Sequence, residues 1–227
     1  MPSMKSPTPP VDEVVASLRA MATQATRDGM ARYAIPSENA LGVTVGELRG
    51  LGKRLGRDHE LAAALWETGI YEARMLAAFV DEPERVTPAQ MERWLVETDS
   101  WALCDTLCFH LYDRTPNALA CVEAWADRPE EFVKRGAFAL LASLALHGRG
   151  APDEAFLRAL PLIERAASDD RNFVKKGVSW ALRGIGRRNA TLHAAALPVA
   201  ERMSLSTTPS ARWVGKDALR ELRSRGL

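Results

Sequence analysis

One pentad recurs at a fixed distance along this chain and limits what it can fold into. Phe132-Val133-Lys134-Arg135-Gly136 is echoed 41 residues later by Phe173-Val174-Lys175-Lys176-Gly177. Both runs continue into apolar, helix-compatible stretches, AFALLASLA and VSWALRGIG. Weaker echoes follow. Ala181-Leu182-Arg183 returns as Ala218-Leu219-Arg220, 37 residues on, and Tyr71-Glu72-Ala73-Arg74 puts Arg74 in register with Arg135. A unit of this size that repeats cannot bury its apolar face alone, so neighbouring units must stack.

Periods near 40 with two helices per unit predict an all-α, HEAT-like or armadillo-type α-solenoid of stacked antiparallel helix pairs. Helix-start signals agree. Thr87-Pro88-Ala89-Gln90 has the N-cap, N1-proline and N3-glutamine order of a capping box. Ala151-Pro152-Asp153-Glu154 places acids in a first turn, where the helix dipole favours them. Asp127–Glu131 and Ser168–Asp170 read as further starts. Strand patterning is confined to Val43-Thr44-Val45. At usual lengths, about ten to twelve helices of about 10–15 residues fill the chain. Residues 1–10, rich in Pro and Ser, read as a disordered tail, and 11–227 as a single solenoid domain.

Lys+Arg is 30 and Asp+Glu is 29, so any polyanion-binding role must rest on local placement of charge. The repeat supplies such a placement. A basic pair recurs inside the start of one helix in each unit, and stacking would align Lys134, Arg135, Lys175 and Lys176 on one concave basic face. Arg74 and Arg212 extend that row. The three cysteines, Cys104, Cys108 and Cys121, read as reduced core thiols of a cytoplasmic protein. The apolar run Gly136–Leu146 is too short to span a bilayer and reads as a core helix.

Several chemistries fail on spacing. Gly50-Leu51-Gly52-Lys53 lacks the phosphate-loop glycine at Glu47 and the hydroxyl at Arg54. His59-Glu60 meets Ala63 where a zinc-binding helix needs its second histidine. Cys104, Cys108 and His110 lack a fourth ligand, so no metal is expected.

Six tryptophans remain: Trp66, Trp94, Trp101, Trp125, Trp180 and Trp213. Most tryptophans in a helical protein are packing residues. Two stand apart. Trp101 and Asp105 are at i, i+4 and share one helix face. Trp180 falls where the preceding unit has Ala139, and Arg183 follows it by one turn.

These pieces together resemble the DNA alkylation repair family of HEAT-like repeat proteins, the AlkD-like DNA glycosylases, over about residues 24–225. Met30-Ala31-Arg32-Tyr33 with Gly42-Val43 resembles the family's N-terminal signature. Trp101 and Asp105 match its W-x-x-x-D, Lys134-Arg135 its basic pair, and Lys175, Trp180 and Arg183 its K…W-x-L-R helix. Ala102, where many relatives carry an acid, departs from the pattern.

The resemblance implies a monofunctional glycosylase that excises cationic alkylated purines, N3-methyladenine and N7-methylguanine, from double-stranded DNA without base flipping, and needs no cofactor. It implies Asp105 as catalytic carboxylate and Trp101 and Trp180 flanking the lesion deoxyribose. It places Arg135, with Arg183, on backbone phosphate, and Tyr33 near DNA. Thr44 lies in the loop after Gly42, where polar residues approach DNA, and Lys134, Lys175 and Lys176 complete the basic row. A monomer suffices for such binding, and the setting implied is a bacterial cytoplasm. The chemistry is coherent. Alkylation makes the purine a cationic leaving group, its departure builds positive charge on the sugar, and indole faces and a carboxylate stabilise that charge. Two other readings stand beside it: a HEAT-type module that binds bent, branched or damaged DNA without excision, and a protein-interaction scaffold. Only the enzyme needs Asp105 exposed between Trp101 and Trp180; if Asp105 is buried against a cap or a salt bridge, the enzyme reading falls.

Overall fold

The structure is a computed structural model that describes residues 9–148 and 150–224. Of the expected tail, residues 1–8 lie outside the described residues, and Pro10 is already the N-cap of the first helix. The described residues are all-helical, with thirteen α-helices in two compact units divided between Val86 and Thr87. Among them no helix is long and apolar enough to cross a membrane.

The first unit holds α1 (Val11–Met21), α2 (Gln24–Gly29), a 3₁₀ turn (Met30–Tyr33), α3 (Val45–Leu55), α4 (His59–Glu67) and α5 (Tyr71–Val80). Helix α5 is its core, with Ala73, Met75, Leu76, Ala77, Ala78 and Val80 all buried. Glu72 is buried too, at 1% exposure, and accepts the backbone N–H groups of Leu41, Gly42 and Val43. The loop is therefore held by a carboxylate, and Gly42 has φ 95° with the Thr23 carbonyl 2.2 Å from where a Cβ would sit. No strand forms at Val43-Thr44-Val45. Thr44 instead caps α3, with its hydroxyl accepting from Glu47 N–H and the Glu47 side chain returning to Thr44 N–H.

The second unit holds α6 (Pro88–Val96), α7 (Trp101–His110), a 3₁₀ turn (Tyr112–Arg114), α8 (Ala118–Trp125), α9 (Glu131–His147), α10 (Asp153–Ala166), α11 (Asn172–Gly186), α12 (Ala190–Ser204) and α13 (Pro209–Ser224). Thr87 caps α6 with Pro88 at N1, and Asp153 and Glu154 open α10, as the start signals predict. Helices α7, α9, α11 and α13 form one row, each packed on the next, while α8, α10 and α12 form the other.

The repeat is physical. Phe132 and Phe173, equivalent in sequence, stack with centroids 5.8 Å apart. Side chains about one repeat apart join throughout: Asp127 to Arg165, Glu164 to Arg202, Ser179 to Asp217 and Arg183 to Glu221. Each of these pairs is separated by 38 residues, so the helices within a row run parallel and in register. The cysteines are free and buried, and Cys104 and Cys108 sit against the α9 backbone at Phe132 and Gly136.

Candidate functional site

In the parallel row, positions four residues apart on each helix fall on one face. On α7 these are Trp101, Asp105 and Phe109, and on α9 Arg135, Ala139, Ser143 and His147. On α11 they are Lys175, Ser179 and Arg183, with Lys176 and Trp180 beside them, and on α13 Trp213, Asp217 and Glu221. Contacts link each helix of the row to the next.

Asp105 is held by Arg135 in a two-point bridge, with Nε on Oδ1 at 2.9 Å and Nη2 on Oδ2 at 2.8 Å. The third direction of the guanidinium goes to the Phe173 carbonyl at 2.6 Å. Arg135 is 5% exposed. Three of its five N–H donors are therefore held inside the protein, where it fixes Asp105 and splices α7, α9 and α11 together rather than standing bare on the surface. Asp105 meets the condition set against the enzyme reading only in part: it is tied into a salt bridge, yet its side chain keeps 17% exposure. Burial pushes its carboxyl above the ordinary value, against the opposing pull of Arg135.

One turn beyond Asp105, Phe109 stacks on Trp180, with centroids 4.6 Å apart and planes 11° from parallel, and meets the edge of His147. Trp180 thus meets α7 through Phe109. Continuing the i, i+4 series from Trp101 and Asp105 would have found Phe109. Trp180 also borders a cleft of about 750 Å³ with Leu146, Arg183, Arg187, Arg188 and Asn189 on its lining. His147 and Ser143 share the buried Asp113 carboxylate, at 2.9 and 2.7 Å.

The basic row is mostly paired. Lys134 reaches Asp169 at 3.1 Å, and Arg183 reaches Glu221 at 2.6 Å, with Arg187 on the same carboxylate. Burial pushes Glu221 upward, yet the two arginines outweigh it and hold it below the ordinary range. Lys175 lies over the Trp213 ring at 5.5 Å. Lys176 is exposed and without an ion pair among the described residues. Arg212 donates to the Ser206 carbonyl. The sequence showed the cations of this row but not the acids facing them, which lie about one repeat away. In the first unit, Tyr33 is 66% exposed, Thr44 is the α3 cap, and Arg74 covers the Trp66 ring at 4.7 Å.

Asp169 is the anchor of the α10–α11 turn. It accepts from Arg171 and Lys134 and is held at about 2, chiefly by the Arg171 hydrogen bonds. A depressed carboxylate contributes stability above its unfolded value, about 3.9, and loses it as pH falls through the folded one. Asp169→Asn should therefore lower the melting temperature at pH 5–7, with the gap closing towards about pH 2. Circular-dichroism melts across that range check this, and a gap constant with pH would show the anchor to be uncharged.

The comparisons agree with this architecture. The family model for DNA alkylation repair enzymes matches residues 14–222. One similar structure is described as belonging to a new family of proteins related to the HEAT-like repeat DNA glycosylases, with affinity for branched DNA structures. It has a TM-score of 0.75 at 17% identity, covering 93% of this chain and 95% of the other. Another, AlkD2 from Streptococcus mutans, has a TM-score of 0.59 at 17% identity, over 92% of this chain and 97% of that one. No curated protein sequence matches. With a family model spanning nearly the whole length and a HEAT-like repeat fold, this chain belongs to the DNA alkylation repair enzyme family.

Proposed function

We propose that this chain is a monofunctional DNA glycosylase that removes cationic alkylated purines, such as N3-methyladenine and N7-methylguanine, from double-stranded DNA without base flipping. The observation that carries the reading is the fixed Asp105 carboxylate on the same helix face as Trp101, one turn from the Phe109–Trp180 stack. The C1′–N bond breaks with its electron pair going to the purine, which needs no proton because alkylation has already made it cationic. Charge builds on the sugar. Trp101 and Trp180 offer indole faces to it, and Asp105 offers negative charge. Water adds to C1′ and releases a proton to solvent. Arg135 occupies two of the roughly four acceptor positions of Asp105. The carboxylate therefore acts through its field and by orienting water, and Arg135 is a positioning residue. Phosphate contact falls to Lys175, Lys176 and Arg187, with Arg183 and Lys134 engaging as their acidic partners are outcompeted. Tyr33 contacts DNA from the first unit.

Base release from duplex DNA carrying N7-methylguanine tests this, comparing the protein with Asp105→Asn. Release above background that is lost in the variant is expected. Its acid limb should lie above the ordinary carboxylate range, because burial raises Asp105 and only the ionised form acts. Equal release by both proteins would remove Asp105 from the site.

A specific observation favours a second reading, DNA binding without excision. Asp105, Arg135, Lys134 and Arg183 are all engaged in ion pairs, and a structural relative is described as having affinity for branched DNA. It predicts no base release by either protein and salt-sensitive binding by both.

A further inference from the structure

Beyond the cleft, the same face carries a second aromatic group that no catalytic step uses. Trp213 is 39% exposed on α13, while Trp66, Trp94 and Trp125 are fully buried. It occupies the register position of Lys175, 38 residues on, and the Lys175 ammonium lies over its ring at 5.5 Å. Lys216, one turn further along α13, and Lys176 on α11 are exposed, and neither makes an ion pair among the described residues. Lys134, Arg135 and Arg183 are each paired with an acid, whereas among the described residues the three lysines around the partly exposed Trp213 ring have no such partner.

We infer that Trp213, with Lys175, Lys176 and Lys216, is a platform for unpaired DNA strand, the indole stacking an exposed base and the lysines meeting the flanking phosphates. An indole face gains a partner only where a base is out of its pair, and stacking of this kind tolerates any sequence. An acidic peptide would use the lysines but leave the ring without a role. The platform shares Lys175 and Lys176 with the phosphate contacts proposed above, but Trp213 and Lys216 lie apart from Asp105 on α13. Helices α7 and α13 are three packing intervals apart, about 24–30 Å at usual helix spacings. The inference rests on the reading of the chain as a DNA-binding protein, and it concerns which DNA it prefers.

The test compares binding to a blunt methylated duplex and to the same duplex with a single-stranded overhang of about ten nucleotides, enough to fill a typical single-strand site. Base release from the blunt duplex is followed in parallel. The overhang should tighten binding by about tenfold, and Trp213→Ala should abolish that gain, with Trp213→Phe keeping part of it. Lys216→Ala, at an exposed position, should lower the gain and its salt dependence together. Base release should be unchanged in all three variants. No gain from the overhang in the parent protein would overturn the platform, as would equal loss on both duplexes in Trp213→Ala. Displacement by poly-glutamate as effective as by oligo-dT would overturn it too. An overhang effect that depends on Trp213, without base release by any form, would keep the platform and remove the glycosylase.

Discussion

Arg135→Met should destabilise the second unit by about 3–5 kcal/mol, because it strands a carboxylate in the interior. In the native chain the bridge is bidentate, and both partners are largely withdrawn from water. Methionine fills much of the same volume and carries no donor, so the loss reports charge and hydrogen bonding more than a cavity. The pH dependence makes the prediction specific. Burial already pushes the Asp105 carboxyl up, and Arg135 is what opposes it. Without Arg135 the folded-state value rises further. A carboxyl raised on folding contributes stability below its unfolded value, about 3.9, and loses it as pH climbs towards the folded one. The gap between Arg135→Met and the parent should therefore widen once pH passes the parent's own raised value, and go on widening towards neutrality. Adding Asp105→Asn to Arg135→Met removes the stranded charge and should restore much of the loss, the behaviour expected of a buried ion pair. Urea titrations of the four proteins at two pH values measure the coupling. A gap insensitive to pH, or a double variant no better than Arg135→Met, would mean that Asp105 is not the partner whose charge matters.

Most of the architecture of the second unit was legible because repetition writes itself twice. The Phe132 and Phe173 pentads open α9 and α11, and their phenylalanines touch. The proline and acid signals at Pro88 and Asp153 mark real starts. Pro161 and Pro198, 37 residues apart inside α10 and α12, are a further repeat mark. The side chains were harder to place. Two adjacent basic residues on a helix face about 100° apart, so Lys134 and Arg135 have different fates. Lys134 reaches the turn before α11, and Arg135 turns into the seam with α7. Composition near neutrality already implied that thirty cations face nearly as many acids. What it could not show is that Asp169, Asp217 and Glu221 lie against the very cations expected on a bare face. The spacing put Asp105 on the face of Trp101, and only the family resemblance gave it a role; its ion-pair partner could be read from neither residue alone. Glycine at position 42 was noticed as part of a motif, but its physical reason, a left-handed turn clasped by Glu72, needed the fold.

Three glycines at comparable stations on the parallel helices give the second large effect, with a ranking that local propensity does not supply. A Cβ at Gly177 would meet nothing nearer than Arg135 Cγ at 3.6 Å, an ordinary contact. Gly177→Ala should therefore be neutral or stabilising by up to about 1 kcal/mol, the usual gain of alanine over glycine inside a helix. At Gly136 the Cβ would stand 2.6 Å from Leu95 Cδ1, which a buried but rotatable side chain can partly relieve. At Gly215 it would stand 2.2 Å from Ser204 N, 2.6 Å from Met203 C and 2.7 Å from Ala200 O. Those atoms are backbone of α12, so no rotamer change helps, and α13 must back away along the interface that carries Asp217 and Glu221. Overpacking of this kind costs about 1–3 kcal/mol and sometimes more, and Gly215→Ala should reach the top of that range. The order of stability should be Gly177→Ala, then Gly136→Ala, then Gly215→Ala, read from urea midpoints at constant slope. Because α13 holds Arg183 through Glu221, Gly215→Ala should also loosen the Arg183 side of the Trp180 cleft and weaken DNA binding, which Gly177→Ala should leave intact. A Gly215→Ala protein as stable as the parent would refute the close approach of α12 to α13, and with it the rigid register that sets Trp213, Asp217 and Glu221 on the same face as Asp105.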